Sequence, residues 1–438
     1  MSLAEKVRLA GVVGAGGGGF PAHLKLASKA DTVIANGAEC EPLLHKDAAV
    51  MEAYAAQIVR GVELSMEAVG AKDGVIGVKA KNKHAVKALE AACKGTPVRV
   101  HLLGDFYPAG DEYDLVYEVT GRLIPPGGIP LAAGVVVNNV ETLINIAAAA
   151  DGKPVTHKTL TIGGAVKNPV TLVVPIGTSF AACIEAAGGV TIDNPVYCYG
   201  GLMMGEASTD LNRSVTKTST GVIVLPRDHH FVDKKLTPLP AQAKIGKSAC
   251  DQCRACTELC PRFLLGYGVE PHQVMRSLAF TATGEAVWNE WAALCCSCGL
   301  CSVYACPEEL FPKTACDNSK ATMRAAGLKW NGKMDIKVHP MRSGRRTPIK
   351  ALARKLDVVS YEHPAPLRAE PLCPAEVILP LKQSAGSPSV PTVKLGDSVK
   401  AGQSIAEPPP KALGAILHAP FAAKVTAVTS ESITLTRK

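Results

Sequence analysis

The 438-residue sequence predicts a multidomain α/β and α+β protein, and three observations predict it. Over residues 1–152 helical and strand patterns alternate, as expected of strands covered by helices. From about residue 158 the texture changes to short apolar strands around one helix. Nine of the fifteen cysteines then fall between Cys250 and Pro307, eight of them in two tandem runs of one grammar. The length exceeds one ordinary core, so about three domains are expected. Hydrophobic residues make up 47% of the chain, yet no uninterrupted apolar run approaches the roughly 18 residues of a spanning helix. No membrane span is expected. The first residues lack the continuous apolar stretch of a signal peptide. An odd number of clustered cysteines suits thiols kept reduced for metal rather than paired as disulfides, so a cytoplasmic location is expected.

Residues 48–69 predict an amphipathic helix, GVIGVKA at 74–80 a short strand and 82–93 a second helix. Pro-Pro-Gly-Gly at 125–128 marks a turn before the buried strand GVVVNN. The segments TLTIGGAV, TLVVPIG, VYCYGG and GVIVLP within 158–225 predict a small β-grasp unit. Met203 and Met204, beside glycines in that unit, are read as packing residues first. The last stretch, with KLGDSVKAGQSIAEPP and GAILHAPFAAKVTAV, has short strands punctuated by Gly-Asp and Ala-Gly turns and resembles the barrel-sandwich fold of biotinyl and lipoyl carriers. Such carriers present a modifiable lysine in a tight turn. Here the matching region reads His418-Ala419-Pro420, so a structural or docking module is expected.

Cys250, Cys253, Cys256 and Cys260 followed by Pro261 form C-x2-C-x2-C-x3-C-P, the spacing of bacterial two-cluster ferredoxins. Cys295, Cys298, Cys301 and Cys306 with Pro307 repeat it, with four residues before the last cysteine instead of three. Two-residue gaps let a tight loop aim three thiolates at one cube, and the C-P thiolate serves the other cube. The expected ligand sets therefore cross over. Cys250, Cys253, Cys256 and Cys306 hold one 4Fe-4S cluster, and Cys295, Cys298, Cys301 and Cys260 hold the other. Paired C-x2-C also builds zinc ribbons, but zinc gives no reason for a three-cysteine loop plus C-P made twice. Cys296 competes with Cys295, and only Cys295 keeps the two-residue gap to Cys298. The spacer between the runs, with helical stretches at 271–280 and 285–294, favours a helical dicluster module. The remaining cysteines, including Cys316, read as buried small hydrophobes, with Cys40 the exception worth a test.

GVVGAGGGGFPAHLKL at 11–26 places Gly14, Gly16 and Gly19 in a formal G-x-G-x-x-G. The residues before it read as helix rather than the strand a dinucleotide fold requires. What the loop does offer is five glycines in six positions, whose N–H groups approach an anion closely. With three further segments, the region from about 8 to 150 resembles the NADH-oxidising flavoprotein subunit of respiratory complex I and its Rnf relatives. Gly14, Gly16, Gly17, Gly19, Phe20 and Lys25 match that family's glycine loop. Asn36, Glu39, Glu41 and Pro42 match N-x-x-E-x-E-P. Tyr107, Gly110, Asp111 and Glu112 match Y-x-x-G-E-E, and Asn138, Asn139, Glu141 and Thr142 match N-N-V-E-T.

The resemblance implies that the loop glycines, Asn36 and Asn139 hold FMN, that Lys25 contacts phosphate, and that Phe20, Glu41 and Glu112 face NADH. The residue types suit this independently, since ribityl and ribose hydroxyls want amide and carboxylate partners. Ala15 and Ala38 depart from the family's Arg and Asp. The β-grasp region resembles the soluble-ligand-binding domain that follows the flavin domain in the same family.

The formal net charge is +8. Residues 317–372 carry twelve Lys or Arg against five Asp or Glu, without the aromatic interleaving of a nucleic-acid surface. A solvated connector is expected there, with docking of a small acidic redox protein as the alternative. The expected division is 1–152 for FMN and NADH, 153–240 β-grasp, 241–325 two-cluster module, 326–372 basic connector and 373–438 barrel-sandwich. With the flavin domain first and the barrel-sandwich last, the order is most similar to the cobalamin reductase family of propanediol-utilisation microcompartments. That implies electron transfer from NADH through FMN and two 4Fe-4S clusters to a corrinoid or a corrinoid-processing enzyme, with cobalamin as substrate, in the cytoplasm or inside a microcompartment. The alternatives are an Rnf-like NADH:ferredoxin electron-transfer subunit of a membrane complex and a dicluster relay whose flavin site is dead. No nucleic-acid partner is expected.

Overall fold

The computed structural model describes residues 1–278, 290–332 and 334–438. Half of the expected helical stretch at 285–294, residues 285–289, therefore lies outside the described residues, whereas the one at 271–280 yields a helix over Pro271–Ser277. Among the described residues no helix is long and apolar enough to cross a membrane.

The first layer is a four-stranded parallel sheet in the order Val98–Leu103, Asp73–Lys79, Thr32–Gly37, Val135–Asn139. Three of its strands are buried nearly throughout because helices cover the sheet, while the edge strand Val98–Leu103 is partly exposed. The order reverses between Thr32–Gly37 and Val135–Asn139, whose carboxyl ends bring Asn36 and Asn139 into register. A crevice at such a reversal is where open α/β sheets bind ligands. The helix expected at 48–69 is two helices, Lys46–Ala53 and Ala55–Val69, broken at Tyr54. The first carries buried Lys46 and Asp47 in a polar network. The second is amphipathic and lies so close to Val140–Ala150 that a side chain on Gly61 would strike the Leu143 carbonyl at 2.2 Å.

The β-grasp unit forms a six-stranded mixed sheet in which Leu367–Arg368 adds an edge strand beside Val170–Pro175. The barrel-sandwich consists of a four-stranded and a three-stranded sheet, and its apolar side chains join those of the first domain in one continuous core. Residues 326–372 are more than a connector. Thr347–Pro348 pairs with Phe106–Tyr107, and buried Arg342 binds Asp114 at 2.6 Å and Glu118 at 2.7 Å. Charge composition alone suggested solvation, but Arg342 meets two carboxylates on the helix Glu112–Thr120, which removes the penalty of burying it unpaired.

Candidate functional site

A cavity of about 360 Å³ opens at the carboxyl end of the parallel sheet, walled by Gly16, Gly18, Asn36, Asn139, Glu39 and Asp47 and, opposite, by Tyr107, Gly110, Asp111 and Glu112. The loop after Val13 bends back, bridging Val13 to Pro21. A side chain on Gly17 or Gly18 would meet nothing within 4 Å, so the bare backbone faces open space a ligand can fill. Gly17 and Gly19 have positive φ, 111° and 63°, which glycine tolerates without strain. Thr142 anchors the loop, its hydroxyl accepting from the Ala15 N–H at 2.9 Å.

Asn36 clamps two walls together. Its Nδ2 donates to the Gly110 carbonyl at 2.9 Å and its Oδ1 accepts from the Ala38 N–H at 3.2 Å. Asn139 caps the helix Val140–Ala150 by accepting from the Glu141 N–H, and donates to Asp47 at 2.8 Å. Asp47 binds Lys46, which also reaches Glu141 at 3.1 Å, and Glu141 binds Lys158. Lys158 in turn donates to the Ala15 carbonyl at 3.1 Å. Ala15 and Ala38, where the family carries charged residues, are thus buried and contribute through backbone atoms. Two buried lysines stand behind this end of the cavity instead. Asn138 is buried, with its Nδ2 lacking a hydrogen-bond partner.

A second, apolar cavity of about 420 Å³ shares Gly18 and Glu112 with the first and is lined by Phe20, Leu24, Lys25, Ile129 and Val137. Lys25 donates to the Val137 carbonyl at 2.6 Å and lies 3.5 Å from Glu112. Phe20 is half-exposed at its rim. Glu41 does not project freely. Its two oxygens accept the Met203 and Met204 N–H groups at 2.8 and 2.9 Å, tying the flavin-type domain to the β-grasp unit.

Both cysteine loops adopt one backbone form. The residues two and four places after the first cysteine are left-handed in each, Gln252 and Arg254 at φ 64° and 67°, Ser297 and Gly299 at 58° and 86°. Three of these are not glycine, a strain that persists where surrounding structure enforces it. Cys250, Cys253, Cys256 and Cys306 wall one small pocket. Cys260 lies instead within electrostatic reach of Cys295, and Cys301 of both. Hydrogen bonds point at the sulfurs, from the Leu310 N–H to Cys306 at 3.3 Å and from the Ser297 N–H to Cys295 at 3.3 Å. Two sets of four converging thiols, with N–H donors to sulfur, fit iron–sulfur cubes. The Cys295 thiol hydrogen-bonds buried Cys316, while Cys296 contacts Cys298 and turns to the first, 360 Å³ cavity.

The loops and the cavity touch. Cys296 and Cys298 belong to the cavity wall, and the buried Tyr107 hydroxyl donates to the Cys298 carbonyl at 2.7 Å. Arg262, next after Cys260-Pro261, binds Asp111 at 2.9 Å and stacks over Tyr113 at 3.5 Å. Sequence reasoning placed Gly18 in the glycine loop and read Met204 as packing first, and it missed Asp47 and Arg262. Only Arg262 carried a signal, as a charge directly after a ligand motif.

A flavin-type cavity walled by an iron–sulfur loop defines an electron-transfer oxidoreductase. The family matches agree: the Nuo51 FMN-binding domain over 7–148, the SLBB domain over 159–207, the 4Fe-4S dicluster domain over 249–311 and the RnfC barrel sandwich hybrid domain over 363–438. The chain is 39% identical over 437 residues to cobalamin reductase PduS of Citrobacter freundii, covering 100% of this chain and 96% of the relative. It is 40% identical to cobalamin reductase PduS of Salmonella typhimurium, covering 99% and 96%. It belongs to the PduS family. A component of the proton-translocating ferredoxin:NAD(+) oxidoreductase complex of Clostridium ljungdahlii is 36% identical over 59% of this chain and 55% of its own. Among solved structures, an NAD+-reducing [NiFe]-hydrogenase in the air-oxidized state superposes with a TM-score of 0.50 at 21% identity, over 83% of this chain and 67% of that one, a likeness of fold.

Proposed function

We propose that this protein reduces cobalamin with electrons from NADH, passing them through FMN and two 4Fe-4S clusters. The observation that carries the reading is the shared wall: Cys296 and Cys298 line the same cavity as the loop glycines, Asn36 and Asn139. FMN held by these residues would supply hydride acceptance from NADH and single-electron donation. In this reading Gly14, Gly16, Gly17 and Gly19 present backbone to the FMN phosphate, Asn36 and Asn139 meet its hydroxyls with Glu39 beside them, and the apolar cavity with Phe20 and Lys25 receives NADH beside Glu112. Glu41 supports the site through the β-grasp loop rather than by facing NADH. Cys260, Cys295, Cys298 and Cys301 hold the cluster next to the flavin. Cys250, Cys253, Cys256 and Cys306 hold the outer one, where Cys253 is exposed and faces the acceptor. A corrinoid or a corrinoid-processing enzyme is the partner, in the cytoplasm or a microcompartment.

An ultraviolet–visible spectrum after anaerobic iron and FMN reconstitution tests the cofactor part. Flavin and iron–sulfur bands that both bleach with NADH are expected. Iron–sulfur bands without flavin would leave an electron relay and end the reductase reading.

A further inference from the structure

Oxidising NADH to NAD+ gives two electrons and one proton. The electrons reduce two cob(III)alamin molecules to cob(II)alamin, one each, and the proton reaches solvent separately from them. Behind the flavin-type cavity lies another of about 250 Å³, lined by His45, Lys79, Lys81, Asn82 and Glu362. It has room for several waters at about 30 Å³ each. The two cavities share one wall, Glu39, Cys40 and Glu41.

Two of those three side chains are unsuited to moving a proton. Both Glu41 oxygens are held by backbone N–H groups, and burial pushes the Cys40 thiol up to about 12. Glu39 makes one long hydrogen bond, from the Asp47 N–H at 3.4 Å, and fronts both cavities. We propose that Glu39 carries the proton of NADH oxidation from the flavin cavity into the second cavity, whose water passes it to solvent. The inference rests on the function proposed above.

Burial, then the neighbouring Asp47 charge, raises the Glu39 carboxyl to about 8 against the pull of Lys46, with Glu41 adding to the rise. Lys79, Lys81 and Glu362 face it from the second cavity, and Asp111 and Glu112 from the first. A carboxyl that exchanges its proton near the working pH is suited to general acid–base transfer.

The test uses the reconstituted holoenzyme as wild type, Glu39→Gln and Glu39→Asp. Glu39→Gln is expected to keep FMN and to lose turnover by about 100-fold, the lower end for acid–base groups. The inflection near pH 8 in the wild-type kcat profile should vanish, and added imidazole or formate should restore rate to Glu39→Gln alone. Glu39→Asp should keep most of the rate. Infrared difference spectra of the resting proteins should show a protonated carboxyl band, fading as pH passes 8, in wild type and not in Glu39→Gln. Loss of FMN from Glu39→Gln would overturn the proposal by making Glu39 a holding contact. So would an unchanged pH profile, or an absence of rescue. Wild-type turnover with NADH, read in the same experiment, reports on the proposed function separately, and its absence overturns both.

Discussion

Cys260 stands one residue before Pro261 in the first run, yet its thiol lies near Cys295 of the second. Cys260→Ala is therefore expected to remove about half of the iron, from the cluster held by Cys295, Cys298 and Cys301, and to spare the Cys250 loop. Iron analysis with electron paramagnetic resonance of the reduced variant checks this, and loss confined to the Cys250 set would contradict it. Arg262 makes a different claim. Its guanidinium is buried against Asp111 and the Tyr113 ring, so Arg262→Ala leaves a carboxylate without its partner. Breaking a buried pair typically costs about 3–5 kcal/mol, and a clear fall in the thermal unfolding midpoint is expected, with the two-cluster module loosened from the flavin-type domain. Glu112 is half-exposed on the cavity shared by both pockets. Glu112→Gln should raise KM for NADH while the purified protein keeps its FMN.

At the scale of elements, Lys217 joins three units. Its ammonium donates to the Gly11 carbonyl at 2.6 Å and the Ile416 carbonyl at 2.7 Å, without a carboxylate. Burial holds its pKa down at about 7, against 10.5 for the free side chain. Between those values the unfolded chain binds a proton that the folded chain does not, so this group makes stability rise with pH across that window. The slope of melting temperature against pH between 7 and 10 should flatten in Lys217→Met. None of this junction was legible in the sequence, because a lone lysine in TKTST looks like any exposed lysine until three units close around it. The cysteine loops were legible, since cluster ligation dictates their spacing whatever surrounds them. Two of the four sheet strands, at 74–80 and in GVVVNN, were legible too through their apolar runs. Other features depended on contacts between distant segments. Glu41 matched its motif, but the β-grasp turn at Met203 and Met204 holds both its oxygens. The basic stretch 326–372 looked solvated until Arg342 met Asp114 and Glu118. The 48–69 periodicity ran through Tyr54 because the network around Lys46 and Asp47, which fixes the first helix, involves Asn139 and Glu141 far along the chain.

The whole molecule places a flavin-type cavity, two thiol sets and an exposed outer cysteine in contact along one path. About eight irons and eight acid-labile sulfides per chain are expected, and stoichiometric zinc without sulfide would contradict the ligand assignment. Artificial dyes test little, because reduced flavin reduces most of them directly. The measurement that bears most directly on the central claim is anaerobic NADH oxidation with cob(III)alamin as sole acceptor, wild type beside Cys253→Ala. The account predicts formation of cob(II)alamin by wild type well above the rate of free reduced FMN, with a large loss in Cys253→Ala while NADH still bleaches its flavin. Cobalamin reduction no faster than by free reduced FMN, with ready reduction of ferredoxin, would contradict it and leave an Rnf-like transfer protein in its place.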